Sequence, residues 1–66
     1  MVDVWSFSGA GKVRLICTDG EVYEGTVLEV CEPEEDGIRE DSITIELEDG
    51  RIIGFAAGEI DNIERN

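Results

Sequence analysis

The chain has 66 residues, with 5 Lys or Arg against 17 Asp or Glu, no His, and a formal net charge of −12. A chain this short buries only ~60% of the surface its unfolded form exposes, so one small domain is expected, with a core supplying no more than ~3–5 kcal/mol by itself. The composition excludes a membrane-spanning helix, because no apolar run approaches the required ~18 residues. It also excludes His-based acid, base or metal chemistry, and a pI near 4.1 repels phosphate backbones.

High net charge favours disorder only when hydrophobicity is low. Here 41% of residues are apolar, and they fall in short alternating runs of Val, Ile and Leu, which points to a folded β-rich domain. Val2 to Phe7 is too short to hold a helix alone, and Ser8-Gly9-Ala10-Gly11 ends it. Residues 1–11 therefore read as an N-terminal arm, whether strand, single turn or irregular. The arm carries Trp5 and Phe7 outside the strand pattern. These two aromatics either close an open end of the domain or anchor on a neighbouring subunit or partner. Ser8 to Lys12 only superficially resembles a phosphate loop: Val13 stands where Ser or Thr is needed, and no Gly lies five places before Gly11.

The domain proper is expected over residues 12–66. Lys12 to Thr18 alternates, placing Val13, Leu15 and Cys17 on one face, and the hairpin signal Asp19-Gly20 follows. Glu21 to Cys31 is apolar on both parities, with Val22, Leu28 and Val30 on one and Tyr23, Val27 and Cys31 on the other. Such a strand is expected to bury both faces by bending, with Gly25 as the bend. Ser42 to Leu47 turns Ile43, Ile45 and Leu47 inward. A second turn, Asp49-Gly50, leads into Arg51 to Ala56, and a last run covers Glu59 to Glu64 with Ile60 and Ile63. Short strands with close turn signals predict an all-β, strongly bent five-stranded antiparallel barrel.

Between the second and third strands, Glu32 to Asp41 concentrates Glu32, Glu34, Glu35, Asp36, Glu40 and Asp41 around one base, Arg39. Tested as a calcium loop, it has carboxylates at the first, third and fifth positions and Gly at the sixth. Ile43, however, stands where a bidentate Glu is required, and no helices flank it. A solvated acidic loop is the default, with weak cation association as the alternative. Cys17 and Cys31 occupy apolar strand positions without metal-ligand spacing and read as small buried hydrophobes, a disulfide or redox role being the alternative. No residues form a catalytic constellation or a cofactor or metal site.

The stretch Val13 to Val27 resembles the first half of the Sm motif, with Gly20, Tyr23, Gly25 and Val27 at its marked places. Phe55-Ala56-Ala57-Gly58-Glu59-Ile60-Asp61-Asn62-Ile63 is similar to the second half. The resemblance implies an Sm-like (SH3-like) barrel over residues 12–64 and a homo-oligomer that can close into a ring through the edges of the last two strands. Ile52, Ile53, Phe55, Ile60 and Ile63 would supply that edge. The apolar, Pro-free run Arg51 to Ala57 separately predicts a covered edge. The family's RNA-reading positions correspond to Cys31, Glu34, Glu35, Ala56 and Ala57, none of which matches the family residues, and two carboxylates there oppose phosphate. The sequence therefore points to a non-catalytic, oligomeric interaction or scaffold module, cytoplasmic, without membrane contact. Its protein partners would carry basic surfaces, and nucleic acid is not an expected ligand. The alternative is an RNA-binding Sm-like regulator using a non-standard surface.

Overall fold

Two Asp-Gly turns organise the sheet. In the computed structural model, which describes residues 2–32 and 40–65, β1 (Lys12–Cys17) returns through residues 18–21 into β2 (Val22–Cys31). In the same way β3 (Ser42–Leu47) returns through residues 48–51 into β4 (Ile52–Ala56). The two loops are built alike. The N–H of Cys17 donates to Glu21 O, and that of Leu47 to Arg51 O, each at 2.8 Å. The Asp19 carboxylate accepts from the Glu21 N–H at 2.9 Å, and Asp49 accepts from the Arg51 N–H at 3.0 Å. Gly20 and Gly50 have φ of 92° and 89°, which only Gly adopts without strain. These local contacts set the register of both hairpins.

A short 3-10 turn (Ala57–Glu59) then leads into β5 (Ile60–Arg65). The order across the sheet is β4-β3-β2-β1-β5, with every pairing antiparallel. Two strands consecutive in the chain thus lie at opposite edges. Laid flat, five strands would separate those edges by ~19 Å, but the short connection from Ala56 to Ile60 reaches only ~14 Å. The sheet has to curl. Its curvature brings the rings of Tyr23 on β2 and Phe55 on β4 to 5.2 Å between centroids, past the intervening β3. No ladder joins β4 to β5, so the result is a strongly bent all-β sheet forming an open barrel.

β2 makes most of the bend, in two places. At Gly25 a Cβ would lie 2.5 Å from the backbone oxygen of Glu46, so β3 crosses closer than any side chain permits. Between Val27 and Glu29 the register shifts through a bulge, leaving Leu28 unpaired and outward. Before the bulge Gly25 and Val27 are buried; after it Val30 packs against the core opposite Ile43. This corrects the expectation that β2 buries both faces: Val22 and Leu28 are 51% and 48% exposed. The bulge accounts for Val30, whose parity turns toward the core after Leu28, while Val22, before the bulge, stays exposed.

The core collects Val13, Leu15 and Cys17 from β1 with Ile43, Ile45 and Leu47 from β3, the two alternating faces expected. Phe55, Ala57, Ile60 and Ile63 complete it from the C-terminal side. No buried polar or charged side chain occurs among the described residues. The arm contributes as well: Val4 is 1% exposed within the same cluster. Residues Val4–Phe7 form a single 3-10 turn capped by Asp3, whose carboxylate accepts from the Trp5 N–H at 3.1 Å and from the Ser6 hydroxyl at 2.8 Å. Among the described residues no helix is long and apolar enough to cross a membrane.

Candidate functional site

The two sheet edges carry the unpaired backbone. Leu47 and Arg51 are a hydrogen-bonded pair, and antiparallel pairs alternate, so Ile45↔Ile53 and Ile43↔Phe55 are bonded as well. The intervening Ile52 and Gly54 therefore aim their N–H and C=O groups away from β3, at the open edge. At Ala56 that outward N–H is taken by the Glu59 carboxylate at 3.4 Å. The same alternation applies to β5. Cys17 bonds β2 through Glu21, and the Thr18 N–H donates to Glu59 O at 3.0 Å. Arg14 and Ile16 thus bond β5 at Glu64 and Asn62, which leaves the backbone groups of Ile63 and Arg65 facing outward.

The side chains expected at this edge divide between two environments. Ile52 is 63% exposed and Ile53 half-buried. Phe55, Ile60 and Ile63 are buried in the chain's own core, the last two opposite Cys17 and Leu15. Their strands are the edges, while their side chains hold the barrel together. Ile52 is thus the apolar side chain that β4 presents to solvent.

The outer face is charged. Arg14 lies between two carboxylates in a ladder across β2, β1 and β5, 3.2 Å from Glu24 and 3.8 Å from Glu64, with all three side chains about half exposed. Pairs so exposed contribute little, up to ~1 kcal/mol. An open groove of about 370 Å³ lies over Gly25 and is lined by Lys12, Glu24, Thr26, Glu46 and Glu48. Sequence reasoning missed it because its lining comes from β1, β2, β3 and the turn after β3, which only the folded sheet brings together. No cluster of three or more metal-ligating side chains forms among the described residues.

Of the residues that the resemblance aligns with RNA-reading positions, Cys31 is half-buried at the end of β2, paired with Ser42. Ala56 is half-buried on β4 and Ala57 is 2% exposed in the 3-10 turn. Glu34 and Glu35, with most of the acidic stretch on which the cation reading rested, lie outside the described residues. Two of its members have structural roles. Glu40 accepts from the Gly58 N–H at 3.0 Å, and the Asp41 carbonyl accepts from the Ala57 N–H at 2.8 Å. Together they moor the turn that connects the two edges.

Both cysteines are free, Cys17 buried and Cys31 half-buried. Burial, followed by the nearby carboxylates of Asp19, Glu59 and Glu21, raises the Cys17 thiol above its ordinary value of 9.0. In the arm, Phe7 is half-buried against the core beneath the Arg65 guanidinium, 5.6 Å from the ring centroid. Arg65 also donates to the Ser6 carbonyl at 3.0 Å. Trp5 remains 42% exposed. The chain matches no protein-family model, no curated protein and no solved structure.

Proposed function

We propose that this protein is a non-catalytic, Sm-like interaction or scaffold module whose copies associate by joining the β4 edge of one to the β5 edge of the next. The observation that carries the reading is the pair of open edges: outward backbone groups at Ile52 and Gly54 beside an exposed Ile52, and outward groups at Ile63 and Arg65 on β5. Unpaired strands of this kind template pairing with another chain. Because the contact joins different surfaces, repetition either closes a ring or propagates a filament, and a ring is the form that the Sm-like resemblance favours. A surface of net charge −12 favours basic protein partners over nucleic acid, and a cytoplasmic role accords with the reading.

The test is light scattering after size exclusion on the native chain and on Ile52→Pro. Proline at this position removes an outward N–H while sparing the β3 ladder. The native chain is expected to run as an oligomer at micromolar concentration and the variant as a folded monomer by circular dichroism. If the variant unfolds, Ile52→Lys tests the same edge with the backbone intact. A native chain that is monomeric at every concentration overturns the reading.

A further inference from the structure

We infer that association along these edges is governed by ionic strength, the associated form being favoured as salt rises. The inference rests on the edge-to-edge reading above. β5 brings the exposed carboxylates of Asp61 and Glu64 to the joint. Asp61 has no ion-pair partner among the described residues, and Glu64 shares Arg14 with the nearer Glu24. Arg65, at the end of β5, is held by the Ser6 carbonyl and the Phe7 ring. On the other side, β4 is preceded by one cation, Arg51, which the Asp49 carboxylate already holds at 2.7 Å. From Ile52 to Ala56 the strand is uncharged. Nothing on β4 therefore answers the β5 carboxylates, and each joint sets two chains of charge −12 side by side.

Strand pairing and apolar contact depend little on simple salt, whereas charge repulsion is screened over a length of ~30 Å at 0.01 M and ~8 Å at 0.15 M. The molecule measures 31 × 22 × 21 Å. At low salt the charges of one copy act across the whole of its neighbour; at higher salt only those flanking the joint are felt. An interface built on opposite charges weakens with salt. This one strengthens.

Sedimentation of the full chain over a concentration series, at low and at high sodium chloride, reads the effect directly. Half-association is expected at a several-fold lower concentration in ~0.5 M than in ~0.01 M salt, the direction set by the shorter screening length. Asp61→Asn is expected to associate more tightly at low salt and to depend on salt less steeply. Glu29→Gln, which removes the same charge from the exposed face of the central strand β2, changes both less. Association that weakens with salt, or that ignores it, overturns this inference and leaves the edge reading standing. Equal effects of the two variants overturn the assignment to the β5 edge. A monomer at every salt concentration overturns both readings.

Discussion

Gly25 shows how one residue decides the curvature of the sheet. A methyl group there would meet the Glu46 carbonyl at 2.5 Å, a backbone atom that cannot rotate aside. Gly25→Ala is therefore expected to cost at least ~1–3 kcal/mol, the range for forced overpacking. That lowers the thermal midpoint by about 5–20 °C in a domain of this size, as a calorimetric or dichroism melt would register. A substitution at the exposed Gly54, where a Cβ would meet only the Thr44 hydroxyl at 3.6 Å, should move the midpoint much less. Cys17 gives a pH-dependent counterpart. Its thiol is raised in the fold, so the unfolded chain loses that proton first. The stabilisation is complete below the unfolded value and is lost as pH rises through the folded one. Stability should accordingly decline from about pH 9 upward, and Cys17→Val should flatten that decline in melts taken across the alkaline range. Gly25 was legible in the sequence as a bend; the backbone that passes over it was not, since Glu46 is distant in the chain.

At the scale of elements, the N-terminal turn illustrates how a segment too short to be stable alone is held by its neighbours. Asp3 caps it and Val4 enters the core, while Arg65 at the other end of the chain bonds Ser6 and covers Phe7. Isolated turns this short do not persist, so the latch is tertiary. Arg65→Ala is expected to cost about 1 kcal/mol, from one hydrogen bond and one cation–π contact. It should also leave Trp5, the sole Trp, more accessible to acrylamide quenching, with Arg65→Lys restoring protection only in part. A Trp5 emission and quenching profile unchanged by Arg65→Ala would show that the turn is held without Arg65, by the Asp3 cap and the packing of Val4 and Phe7. The sequence marked these aromatics as lying outside the strand pattern. It carried no sign of Arg65 as their partner, because nothing local links residues 7 and 65. β2 teaches a similar lesson: a bulge at Leu28 changes parity within one strand, and alternation read residue by residue cannot distinguish that from burial on both faces.

For the molecule as a whole, size and charge act in opposite directions. A 66-residue chain has a small core, so joining edges would stabilise it by mass action, yet each joining gathers more negative charge. Under the edge-to-edge reading, the thermal midpoint of the native chain rises with protein concentration and that of Ile52→Pro does not, a second measure of the same expectation. The candidate surface was partly legible in advance. Arg51 to Ala57 is an apolar, Pro-free run, and the last two strands lie at the sheet's two edges. Which of its side chains face solvent is decided only by the fold. Phe55, Ile60 and Ile63 are consumed by the core, and the edge is made of backbone, with Ile52 presented to solvent on β4.

The sequence by itself determined the local part of this protein: the class of fold, the two Asp-Gly hairpins, the faces of β1 and β3, and the charge. Alternation and turn chemistry depend on neighbours in the chain, so they can be read there. Tertiary structure alone decided the rest. The curl that brings β4 and β5 within reach of one short turn, the bulge, the arm's place in the core and the direction of every unpaired edge group depend on residues far apart in sequence. Their proximity is set by the curling of the sheet around its core, which no local stretch of the chain contains.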